Sequence, residues 1–313
     1  MSRLRVLLLV AAMLAIAARP SVPRSFGRMF DGQCFSNKVF ILAPPFAHRP
    51  QTAGAISQAC SNSVAFDRSS GTMAVASGAV FGKLSISVYE PPFSSASIPA
   101  VTFAPPGLRH PRQLAWDGDG NLWVSDDLAN RVYEFRPPFS AKSKPASAIA
   151  AAMRPIGLAI DPANHLMFVA DAGGSRTCAA APCRIYVIRS PYAGAPIATI
   201  SLGKSAATAL AVDRRGRLFA GIGYGSFKGA IRIFVPPFRN AQKPAFSLNA
   251  GDAVMALAFD PAQNLYAQLF STGGVVSFTS PIAGPMKAPT VHLGCPSGAP
   301  CRKKNWAGLS FGP

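Results

Sequence analysis

Asp126, Asp127, Asn130 and Arg131 form the densest group of polar side chains in this chain that could do chemistry. Their functional reading is a polar site, and a hard divalent cation would need several oxygens converging on one point. Asp117 and His110 lie upstream and complete the candidate polar group. Zinc or copper would want several imidazoles together. The four histidines, His48, His110, His165 and His292, are far apart in sequence, and the whole chain has only 13 Asp plus Glu. Glu90 and Glu134 both precede proline pairs. No G-x-S-x-G elbow and no phosphate-binding loop is present. The glycine-rich run Gly221 to Gly225 ends a strand-like stretch and opens no helix, so it reads as a hairpin loop.

What positions these residues is a repeat. The phrase NRVYEFRPPF (Asn130 to Phe139) recurs as NKVFILAPPF, ISVYEPPF and IRIFVPPF, with degenerate copies IYVIRSPY and VVSFTSPI. The second proline of each falls at Pro45, Pro92, Pro138, Pro191, Pro237 and Pro281, a period of roughly 45–50 residues, and such a period marks a repeat architecture. A second box alternates with it: VAFD, LAWD, LAID, LAVD and LAFD, ending at Asp67, Asp117, Asp161, Asp213 and Asp260. Each box is followed by a turn, a second apolar strand, the proline-ended third strand and a thinner fourth segment.

One unit is physically legible. The first strand carries an alanine at the second position of its box, as expected where several units crowd a common axis. Its aspartate can accept nearby backbone N–H groups at the start of a turn. Gly118, Gly120 and Asn121 suit the positive-φ positions of a tight hairpin. The prolines end the third strand, having no N–H for a ladder. The aromatic residue after them is placed to pack between neighbouring units. Weak hydrophobicity in the fourth strand protects an outer edge.

Four antiparallel strands per repeat, arranged radially, make an all-β propeller. The proline box occurs six times and the aspartate box five. The chain ends on GLSFGP, which aligns with GLAIDP at Gly157 to Pro162, with Gly312 replacing the aspartate. A first-type strand at the C-terminus and a third-type strand at Asn37 to Leu42 together complete a sixth blade. The expected fold is therefore a six-bladed propeller over residues 34–313, with residues 19–33 as a lead-in.

The run QLAWDGDGNLWVSDDLANRVYEF (Gln113 to Phe135) resembles an NHL repeat through Asp117, Gly120, Asn121, Asp126, Asn130 and Arg131. The unit from Gly157 to Ile188 keeps Asp161, Asn164 and Asp171, and the later units keep mainly the first box. The proline ending is not part of the general NHL pattern. The resemblance implies that Asp126 and Arg131 tie a strand end to a loop within the blade. Propellers of the gluconolactonase type are similar in fold and hold a divalent metal in the channel. They give the alternative reading, a metal-dependent lactonase or hydrolase with calcium or zinc.

Composition sets the compartment. Arg3 and Arg5 precede an apolar stretch from Val6 to Ala18, with Ala15-Ile16-Ala17 as a small-x-small cleavage pattern. This predicts a secretory signal peptide over residues 1–18, since the stretch is shorter than the ~20 residues that span a bilayer. No later segment is apolar and long enough to span. Six cysteines fit an oxidising compartment. Cys178 with Cys183 and Cys295 with Cys301 are the expected local pairs, leaving Cys34 and Cys60. The formal charge of +18 favours anionic polymers of a cell envelope, but the cations are scattered apart from Arg302-Lys303-Lys304. They are not interleaved with stacking aromatics, which argues against nucleic acid. The expectation is a secreted or periplasmic, non-catalytic propeller that needs no cofactor and binds a protein, peptide or glycan.

Overall fold

The computed structural model describes residues 27–46, 50–78, 83–150, 154–175, 178–179, 181–226, 228–286, 288–294 and 307–313. The leader, His48, the Cys295 and Cys301 pair and the Arg302-Lys303-Lys304 run lie outside them. Three strands come first: β1 (Arg28–Gln33), β2 (Lys38–Ala43) and β3 (Gln51–Ser57). Blade 1 is β4 (Ser61–Phe66), β5 (Met73–Ser77), β6 (Ser85–Tyr89) and β7 (Val101–Phe103). Blade 2 is β8 (Pro111–Trp116), β9 (Leu122–Asp126), β10 (Arg131–Phe135) and β11 (Ser147–Ile149). Blade 3 is β12 (Pro155–Asp161), β13 (Leu166–Asp171), β14 (Cys183–Arg189) and β15 (Ala198–Gly203). Blade 4 is β16 (Ser205–Val212), β17 (Leu218–Gly225), β18 (Ala230–Phe234) and β19 (Phe246–Asn249). Blade 5 is β20 (Val254–Phe259), β21 (Leu265–Leu269), β22 (Val275–Phe278) and β23 (Val291–Gly294).

The last strand, β24 (Ala307–Gly312), joins the first three to close the ring, in the order β24-β1-β2-β3. The inner strands β4, β8, β12, β16, β20 and β24 touch in sequence, and β24 touches β4 again. Both termini thus build the sixth blade. Its second strand is β1, paired Phe30↔Ser310 and Phe30↔Ile41. The lead-in assigned to residues 19–33 therefore gives up its last six residues, 28–33, to the propeller. RMFDGQ lacks the alternation and flanking box of the other second strands, so its sequence does not mark it as one. Cys34, just past β1, is bonded to Cys60, just before β4, so a disulfide ties the closing blade to blade 1. Cys178 and Cys183 form the expected local bridge.

The core is six apolar layers, one between each pair of adjacent blades. The aromatic after each proline pair reaches the second strand of the preceding blade or its neighbours. Phe93 of blade 1 meets Phe30 at 5.4 Å and Phe66 at 5.5 Å. Tyr192 of blade 3 meets Trp123 of blade 2 at 5.3 Å, and Phe238 of blade 4 meets Phe168 of blade 3 at 4.9 Å. Edge-to-face pairs of this kind add about 0.5–1.5 kcal/mol beyond burial. All six second prolines follow a cis peptide bond. The Gly221 to Gly225 run is not a hairpin loop: it lies in β17. A Cβ on Gly221 would fall 2.4 Å from Val254 Cγ1, so the glycine permits blades 4 and 5 to approach. Among the described residues no helix is long and apolar enough to cross a membrane.

Candidate functional site

The five boxed aspartates lie at the exits of β4, β8, β12, β16 and β20, and their carboxylates turn back into their own hairpins. Asp117 accepts hydrogen bonds from Asp119 N (3.0 Å), Asn121 N (2.9 Å), Asn121 Nδ2 (2.9 Å) and Trp123 Nε1 (2.8 Å). Asp161, Asp213 and Asp260 repeat the pattern with Asn164, Arg217 and Asn264, and Asp67 uses Ser69 and Ser70. A carboxylate accepting three or four bonds has little capacity left for a metal.

β8 and β9 are antiparallel, with Trp116↔Leu122 at one end and Pro111↔Asp126 at the other. Asp126, Asp127 and His110 therefore sit at the end of the ring opposite Asp117. Asp126 is buried and accepts four backbone N–H groups, from Arg109 (2.6 Å), His110 (3.0 Å), Leu128 (3.2 Å) and Ala129 (2.9 Å). It fastens the loop entering β8 to the loop leaving β9. Asn130 takes the positive φ of that turn (53–56° is shared with Asn37), and Arg131 begins β10, exposed. Asp127 differs, because its partners are side chains: His110 Nδ1 at 2.5 Å and, from the approach to blade 3, Arg154 Nε at 3.3 Å. Burial pushes its pKa up, but the His110 hydrogen bond and the charges of Arg112, His110 and Arg154 outweigh this and hold it below the usual carboxylate range. Among the described residues no three His, Cys, Asp or Glu side chains gather to hold a metal ion.

Between the two ends runs the channel, and Gln113 crosses it. Its Oε1 accepts from Leu158 N (2.8 Å) and Leu210 N (3.3 Å), and its Nε2 donates to Leu210 O (3.1 Å). One side chain from blade 2 thus satisfies open edges of the inner strands of blades 3 and 4. On the Asp127 side, Asn62, Arg112, Thr208 and Met255 leave about 30 Å³. On the aspartate-turn side the channel widens to a cavity of about 500 Å³. Its wall includes the residue before each boxed position: Phe66, Trp116, Ile160, Val212, Phe259 and Phe311. Two cations, Arg68 and Arg214, stand at its rim.

The sequence offers His110, Asp117, Asp126, Asp127, Asn130 and Arg131 as polar candidates and does not point to Gln113, Arg154, Arg68 or Arg214. Nor does it point to Asp31 on β1, fully buried and accepting from Gln33 Nε2 (2.8 Å) and from Gln268 Nε2 of blade 5 (2.7 Å). Burial pushes its pKa up to about 7 against the lowering effect of both amides.

No family model matches the chain, and no curated protein is similar to it. Among solved structures it is similar to a functionally unknown protein from Desulfotomaculum acetoxidans DSM 771, with a TM-score of 0.56 and 13% identity over 89% of this chain and 88% of that one. It is also similar to Kuenenia stuttgartiensis hydrazine synthase, with a TM-score of 0.45 and 15% identity over 58% of this chain and 48% of that one. At these identities a likeness speaks for the fold alone.

Proposed function

We propose that this protein is an exported, non-catalytic propeller, NHL-like in its blade chemistry, that binds a ligand at the aspartate-turn mouth of its channel. One observation carries this reading. The carboxylates around the ring are consumed by their own turns, while the axis they surround stays open as a cavity of about 500 Å³. A space of that size lies within the ~300–1,000 Å³ range of small-molecule sites and also admits one sugar unit or one protruding peptide side chain. The signal-peptide pattern and the two disulfides support an extracytoplasmic setting. The high positive charge supports contact with anionic envelope polymer, which would weaken steeply as salt is raised.

The test is a screen of the mature protein against peptides, glycans and small organic molecules, run with and without calcium and zinc. Saturable binding that is indifferent to metal is the expected result. Turnover of lactones or esters that requires added metal, with stoichiometric metal in the purified protein, would overturn the reading in favour of a lactonase. That alternative would have to build its metal site from donors that the described residues do not bring together.

A further inference from the structure

Arg68 and Arg214 occupy the same place in two repeats, the position directly after the boxed aspartate. The other four repeats have Gly118, Pro162, Pro261 and Pro313 there. Blades 1 and 4 stand opposite each other in a ring of six, so the two guanidiniums approach the mouth from opposite sides. Both line the same cavity. The cavity wall desolvates the Arg68 guanidinium, and this and then the charge of Arg214 push its pKa below the ordinary arginine value, although the residue as a whole stays exposed. Among the described residues neither side chain has a carboxylate within ion-pair distance. Their neighbour Arg217 shows the contrast, held by Asp213 at 2.7 Å. The acids beside them offer a ligand no rival charge with free lone pairs, since Asp67 and Asp213 are bonded within their own turns. Below the two arginines lies the ring of apolar side chains, of which Trp116, Ile160 and Val212 are only half-buried.

We propose that this mouth is a site for a small organic anion with an apolar body, its anionic group held on the ring axis between Arg68 and Arg214 and its body inside the cavity. Two like charges brought together without a counter-ion are relieved by a bound anion, and the planar guanidinium suits a carboxylate. An apolar body gains by covering the ring of side chains beneath. The inference rests on the reading of the channel mouth as the binding site and adds the chemistry of the ligand.

Decanoate is the probe, with acetate as the head alone and decyltrimethylammonium as the same chain with the opposite charge, each titrated calorimetrically into the mature protein at low and high salt. Decanoate is expected to bind one to one, acetate far more weakly, and the cation not to bind. In the double variant Arg68→Gln and Arg214→Gln, decanoate affinity should fall about tenfold or more, the loss expected for charge-assisted hydrogen bonds. Arg215→Gln, exposed one residue further on, should leave it unchanged. All three positions are exposed, so folding is not at stake. Equal binding of decanoate and the cation, or an unchanged decanoate affinity in the double variant, would overturn the anion site. If decanoate fails to bind but the wider screen finds another ligand blocked by Trp116→Ala, the anion inference falls and the channel reading stands. Metal-dependent turnover would remove the binding reading itself.

Discussion

Asp31→Asn should abolish a pH dependence that the buried carboxyl imposes on stability. Asp31 has no solvent exposure, and its hydrogen-bond partners are two neutral amides. Its pKa is raised from 3.8 to about 7 by burial. The folded state therefore keeps a proton that the unfolded chain gives up. The sign follows: unfolding free energy falls as pH rises from about 4 to about 7, and is flat above and below that window. At about 1.36 kcal/mol per unit, the ionised group costs up to roughly 4 kcal/mol at pH 8. Asparagine is nearly isosteric with the neutral acid and carries no charge. It can still accept from Gln33, and once the Gln268 amide turns to meet it, its Nδ2 can donate to Gln268 Oε1, which is buried without a partner in the wild type. Urea unfolding followed by tryptophan fluorescence from pH 4 to pH 8 is the assay. The variant should match the wild type near pH 4 and exceed it by as much as ~4 kcal/mol at pH 8. A difference that stays constant across this range, or a wild type that gains on the variant as pH rises, would show that Asp31 is ionised in the folded protein at low pH.

Asp127 has the opposite sign. Its depressed pKa contributes stability above the unfolded value near 4 and loses it as pH falls through the lower folded value, so Asp127→Asn should be destabilised at pH 7 and converge on the wild type in acid below that folded value, read from the same urea curves. Replacing Cys34 and Cys60 together with alanine should cost roughly 3–4 kcal/mol by loop entropy, whereas removing the Cys178–Cys183 bridge, whose cysteines are 5 apart rather than 26, should cost roughly 2 kcal/mol. Gly308→Val should lower the melting temperature sharply, since a Cβ there would lie 2.4 Å from Ser63 Cα where β24 closes the ring. Gly118→Ala, whose Cβ would meet only Pro162 Cβ at 3.6 Å, should stay within about 0.5 kcal/mol of the wild type.

The architecture was legible because each blade repeats a complete set of local instructions. The small residue in the first strand, the aspartate that caps a turn and the prolines that stop the third strand all do in space what their types require. Gly312 shows why one box lost its aspartate: a Cβ there would sit 2.4 Å from the Phe66 ring. The second strand of the closing blade was not legible, because Asp31 is polar at the place where the other blades carry Val75, Val124, Val169, Ala220 and Ala267, and only the fold reveals that Gln268 meets it.

The same regularity misdirects a search for chemistry. Carboxylates recurring once per blade look like a ring of ligands, yet recurrence is the mark of a residue needed to build a blade. Asp117 bonds to its own turn, and Asp126 to four backbone N–H groups of neighbouring loops. The residues that face the channel with chemistry to spare are those that break the repeat. Gln113 stands where the other blades have Ser63, Gly157, Ala209, Ala256 and Gly308, and it alone is long enough to span the axis. Arg68 and Arg214 replace glycine and proline at a rim position where nothing in the blade demands a cation. A side chain that every blade carries is explained by the blade. One that a single blade or an opposed pair carries must be explained by what the blades share, and what they share is the channel.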